Sequence, residues 1–135
     1  MVLTPTEKQL TEKLLSGDFM KAATPDEVAA LIHKGADVHA VDGHGQTALS
    51  FAVSNNPNPE IIKILLANGA DINAANKDGN TALMYAARRN SNPDVVEILL
   101  ANSADVNVNI LLRIIELNNA LKGSAIHEKI RELVK

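Results

Sequence analysis

Four histidines and a periodic set of aspartates are this chain's candidates for metal binding or proton transfer. His33, His39, His44 and His127 are scattered; only His39 and His44 stand five apart, across a turn, and no other ligand pattern accompanies them. His39 falls where later copies of the same text carry Asn73 and Asn107, which favours a structural, hydrogen-bonding role over metal ligation. Asp37, Asp71 and Asp105 recur at a constant interval and could be imagined as a carboxylate row for calcium. Ca²⁺ requires its oxygens within about 2.6 Å, whereas equivalent positions of stacked helical units lie about 8–10 Å apart. One ion cannot be shared across that gap, so these aspartates are expected to accept hydrogen bonds from amides of their own loops.

The rest of the catalytic vocabulary is missing. The chain has no cysteine, which excludes disulfides, thiolate zinc sites and thiol nucleophiles. It has no Gly-rich phosphate loop, no Gly-x-Ser-x-Gly and no His-Glu-x-x-His. The expectation is a protein that is not an enzyme, with no catalytic, cofactor-binding or metal-binding residues and no cofactor.

The elements that would position any site are fixed by composition and by repetition. Hydrophobic residues make up 46% of the 135 positions but aromatics only 2%, so the apolar mass is Leu, Ile, Val and Ala, suited to close helix packing. Net charge is −3, with acidic and basic residues interspersed, and a nucleic-acid partner is not expected without a dense basic face. No apolar run approaches the roughly 20 residues of a membrane span, and the opening MVLTPTEKQL has no signal-peptide pattern. A cytoplasmic protein with no membrane partner is expected.

Residues 36–69 laid over 70–103 give 16 identities in 34 positions. Repeats of that length signal an array in which each unit buries its apolar face against its neighbours. Asn58-Pro59-Glu60 and Asn92-Pro93-Asp94 each supply an N-cap, a proline that lacks the orphan amide, and an acid for the positive helix end. Thr24-Pro25-Asp26-Glu27 adds a capping box, and Thr4-Pro5-Thr6-Glu7 has the same design off the period. Gly35 and Gly69 stop the helices that follow; Ser103 stands where the third glycine should be, and predicts a looser end. Asp42-Gly-His-Gly45 and Asn76-Lys-Asp-Gly79 have type I turn chemistry, and Thr47 and Thr81 then cap short helices containing Ala48, Ala52, Ala82, Ala86 and Ala87.

Turn, short helix, loop and longer helix, in succession, resemble the ankyrin repeat. Asp42, Gly45, Thr47, Leu49, Ala52, Leu65, Leu66, Gly69, Ala70, Asp71 and Asn73 match one copy of that family's pattern. Asn76, Gly79, Thr81, Leu83, Ala86, Ala87, Leu99, Leu100, Ala104, Asp105 and Asn107 match the next. The resemblance implies an all-α repeat solenoid of helix-turn-helix repeats with short β-turn hairpin tips. Expected divisions are an N-terminal capping repeat over 1–40, repeats over 41–74 and 75–108, and a degenerate C-terminal cap over 109–135. The cap lacks the turn text, so no third tip is expected; Asn109 is expected to cap a helix over 110–118, and Ser124 one over 125–134. The family's Pro and His are replaced by Ala48 or Ala82 and by Ser50 or Met84, and its Gly-His link by NNPNP and RNSNP.

In that family, partner contacts come from turn tips and the exposed side of the short helices. Carried over, the tips are Gly43, His44 and Gln46, then Lys77, Asp78 and Asn80. The helix positions are Ser50, Ser54 and Asn55, then Met84, Arg88 and Arg89, with Phe51 and Tyr85 half exposed beside them. Arg88–Arg89 suits an acidic partner surface, although a solvated pair at a helix end accounts for it equally well. The implied function is protein binding by a monomer. The alternative is a self-associating subunit that uses its apolar ends, motivated by the segment NILLRIIEL.

Overall fold

In the computed structural model, which describes residues 5–102, 104 and 107–133, the chain forms two stacked rows of short helices. They are α1 (Pro5–Leu14), α2 (Gly17–Ala22), α3 (Pro25–His33), α4 (Ala48–Asn55), α5 (Pro59–Ala67), α6 (Ala82–Arg89), α7 (Pro93–Ala101), α8 (Val108–Leu117) and α9 (Ala125–Leu133). The inner row is α2, α4, α6 and α8; the outer row is α1, α3, α5, α7 and α9, each helix packing on the next of its own row. Pairs α4 with α5, α6 with α7, and α8 with α9 join the rows. The core runs continuously between them, from Leu14 and Met20 through Leu49, Ile61, Leu65 and Leu99 to Ile115, Leu121 and Ile130. Ala48, Ala52, Ala82, Ala86 and Ala87 are buried, and their small side chains let α4 and α6 approach closely.

The helix starts follow local chemistry. Thr24 Oγ1 accepts the Glu27 amide at 3.2 Å and Glu27 Oε1 accepts the Thr24 amide at 3.4 Å, closing the capping box. Asn58 Oδ1 accepts the Glu60 amide and Asn92 Oδ1 the Asp94 amide, each at 3.0 Å. Thr47 Oγ1 accepts the Ser50 amide at 3.2 Å, but Thr81, in the equivalent extended conformation, makes no side-chain cap bond. Gly35 and Gly69 stop α3 and α5 at φ +115° and +90°. The expectations placed on Thr4, Ser103 and Asp105 fall outside the described residues.

At the C-terminal end one expectation is corrected. Asn107, not Asn109, caps α8: its Oδ1 accepts the Ile110 amide at 3.2 Å, and the helix spans Val108–Leu117. Both asparagines precede an apolar run; α8 packs on α6 with Leu111 and Ile115 buried and begins at Val108, which leaves Asn107 as its cap. Ser124 Oγ accepts the His127 amide at 3.3 Å at the start of α9. At the other end α1 is tied to the array. Its buried Thr11 accepts the Asp37 amide at 2.8 Å, and Leu14 is fully buried.

A ladder of asparagines joins the units. Asn56 Nδ2 donates to Met20 O and Ala23 O at 2.8 and 2.9 Å, while its Oδ1 accepts the Asn58 amide. Asn90 repeats this on Val53 O and Asn56 O, and Asn118 on Ala87 O and Asn90 O. Each amide therefore satisfies two carbonyls at the end of the preceding inner helix and one N–H of its own loop. Apart from Met20 O, which also accepts the Ala23 amide, those carbonyls have no other partner shown, and leaving one buried and unpaired costs about 1–3 kcal/mol. This is the physical reason the NNPNP and RNSNP links can replace Gly-His without loosening the stack. Asn118 extends the ladder into the C-terminal pair, although the repeat text has ended there.

Candidate functional site

Two hairpin tips and the free side of the inner row are assembled side by side. In the first tip Asp42 Oδ1 accepts the His44 and Gln46 amides, both at 2.9 Å, and Gly45 N donates to Asp42 O at 3.0 Å. In the second Asn76 Oδ1 accepts the Asp78 and Asn80 amides at 2.9 and 3.0 Å, and Gly79 N donates to Asn76 O. Lys77 N donates to His44 O at 3.1 Å, so the backbone of one tip is bonded directly to the other. Neither tip is an independent finger.

The loops below the tips use their aspartates locally. Asp37 Oδ1 accepts the His39 amide at 2.8 Å and Asp71 Oδ1 the Asn73 amide at 3.0 Å. No group of three His, Asp or Glu among the described residues could hold a metal ion. His127 is buried, with Nδ1 accepting the Gly123 amide at 2.7 Å, which places its ring proton on Nε2. That Nε2 has no hydrogen-bond partner and lies 3.9 Å from Glu116 Oε1.

Gly43, His44, Lys77, Asp78, Arg88 and Arg89 are exposed, and Gln46, Ser54, Asn55, Asn80 and Met84 are half-buried. Two expected contact positions are not on the surface. Ser50 is 3% exposed, its hydroxyl 3.2 Å from Thr47 Oγ1 inside the helix start. Tyr85 is 7% exposed, and Asn76 Nδ2 donates to its hydroxyl at 2.7 Å. The difference between the copies at these sites has a structural cause. Asn76 carries an NH₂ that needs an acceptor, and Tyr85 supplies it; Asp42, a carboxylate, has no donor to satisfy, and its copy carries Phe51. Asn55 is also partly spent, its Nδ2 bonding Phe51 O at 2.8 Å.

A row of tips joined by backbone bonds, above two rows of paired helices, is the architecture to set beside known families. Residues 19–110 match the family described as ankyrin repeats, in three copies. The chain belongs to the ankyrin repeat family. The matched stretch begins within α2 and ends within α8. No curated protein matches the chain. Ankyrin repeats are generally protein–protein interaction modules, which gives this protein a protein partner in general terms. No helix among the described residues is long and apolar enough to cross a membrane.

The segment NILLRIIEL, marked in the sequence as an apolar end, leaves part of its apolar surface exposed on the inner row. Ile110 and Leu117 of α8 are 46% and 85% exposed, on the helix that begins where a third tip would stand. The signal was present as NILLRIIEL, whose apolar residues exceed what one buried stripe needs. Its location depends on how α8 sits against α6.

Proposed function

We propose that this ankyrin repeat protein is a non-enzymatic, cytoplasmic binding module that reads a partner protein with its two linked tips and the exposed end of α6. The observation that carries this reading is the contrast in duties among the residues that differ between copies. Asp42, Asn76, Ser50 and Tyr85 are occupied in holding tips and helix starts together. His44, Lys77, Asp78 and Arg88 project without such a task, and Arg89 only lies over the Tyr85 ring, 5.8 Å from its centroid. Arginines held near an aromatic ring and free of ion pairs are suited to a carboxylate-bearing partner.

The test is affinity capture from the native cell extract with the wild-type chain and with Arg88→Glu/Arg89→Glu. Both positions are exposed, so the double variant should fold with unchanged helix content by circular dichroism. Loss of the captured protein is expected. Equal recovery by both chains would remove these residues from the binding face.

A further inference from the structure

We propose that the groove between α6 and α8 takes the apolar side of an amphipathic, acidic helix contributed by the partner protein. The proposal rests on the protein-binding reading above and adds a second contact region to it, with a stated partner chemistry.

The groove exists because a tip is missing. In the preceding units residues 40–47 and 74–81 separate His39 and Asn73 from the inner helix that follows, and this stretch forms the tip. Asn107 occupies the equivalent place, yet α8 starts at the very next residue, Val108. The first two tips pack so closely that a Cβ on Gly45 would lie 3.3 Å from Asn76 Cα and Lys77 N. Among the described residues nothing crowds Gly79, the matching glycine of the second tip, in that way. What is left is a mainly apolar recess of about 80 Å³, lined by Leu83 and Met84, by Ile110, Leu111 and Ile114, and by the polar Thr81 and Asn107.

The recess continues into a stripe. Ile110, Ile114 and Leu117 follow one another at i, i+4 and i+7, one face of α8, and Met84 and Arg88 stand one turn apart on α6. Two adjacent helices with an open furrow between them present the ridge-and-groove surface that a third helix fills. Leu117, 85% exposed, and Ile110, 46% exposed, are large apolar side chains left in water beside that furrow.

Charge selects the occupant. Arg88 and Arg113 border the stripe, and neither has an ion-pair partner among the described residues. The nearest carboxylate on α8, Glu116, is engaged elsewhere, 3.8 Å from Arg131 Nη2 and 3.9 Å from His127 Nε2. A twofold contact between two copies of this chain would bring the same two arginines into one interface twice, four positive charges with Glu116 already engaged, whereas an acidic partner supplies the missing carboxylates. A helix with Leu, Ile or Phe one turn apart and Asp or Glu along its flanks meets both the recess and the guanidinium groups.

A displayed library of random 16-residue peptides, selected on the full chain, tests this. Enriched peptides are expected to be net acidic, with large apolar residues at i and i+3 or i+4. The leading peptide, made synthetically and fluorescein-labelled, should lose at least tenfold in affinity to Ile110→Asp and to Leu117→Asp. Both positions are exposed, and circular dichroism checks that these variants fold. Arg113→Glu should weaken binding several-fold, and the effect should shrink as salt rises. Basic winners, no winners, or binding indifferent to these substitutions would overturn the groove assignment. So would a wild-type dimer in sedimentation that Ile110→Asp dissolves, because the groove would then belong to a second copy. Any of these results leaves extract capture through Arg88 and Arg89 standing, so the two readings fail separately.

Discussion

Asn90 is the residue on which most of the stack's continuity converges. Its side chain donates to Val53 O and Asn56 O and accepts from Asn92 N, while its own carbonyl receives Asn118. Asn90→Ala removes three hydrogen bonds from a site 3% exposed and leaves two carbonyls unpaired. A loss of about 2–4 kcal/mol is expected, measured as a lower urea midpoint. Asn90→Asp should cost more, because a carboxylate would face two carbonyl oxygens. A finer test lies at Tyr85. Tyr85→Phe strands the Asn76 NH₂ and should cost about 1 kcal/mol. Adding Asn76→Asp gives the second copy the residues of the first and should recover most of that loss in a double-mutant cycle.

Among the elements, what the sequence made legible was what is local. The capping box at Thr24 and Glu27, the Asn-Pro starts of α5 and α7 and the glycine stops all bond within a few residues, so their spacing specifies them. The asparagine ladder was not legible, because its acceptors lie 28 to 37 residues away in the chain. Asn56 and Asn90 were visible as identities between the copies, but nothing in the text showed that they point backwards into the preceding unit. At α8, Asn107 and Asn109 both precede an apolar run, and only the packing against α6 decides between them. The tips show the same division. Gly45 and Gly79 both have φ of +81°, yet only Gly45 is crowded by the neighbouring tip. Gly79→Ala should cost about 1–2 kcal/mol from backbone handedness alone. Gly45→Ala should cost distinctly more in the same urea titration, the excess reporting the contact between tips.

At the scale of the whole molecule, the protein is a nearest-neighbour stack whose shared text makes the frame. Differences between copies fall into two kinds. Asp42 with Phe51 and Asn76 with Tyr85 are two solutions to one packing problem, whereas Arg88-Arg89, standing where the first copy has Ser54-Asn55, is the difference on which the proposed reading face rests. The ends differ again, α1 closing one side with a buried Thr11 and Leu14, and α8 exposing a furrow at the other. In the proposed reading, frame and reading face are separable. That separation is tested most directly by giving the second repeat the text of the first, Arg88→Ser/Arg89→Asn, and comparing capture from native extract with the wild-type chain. The variant, of the same stability in urea within about 0.5 kcal/mol, is expected no longer to recover the partner. Undiminished recovery of the same partner by the folded variant would contradict that reading.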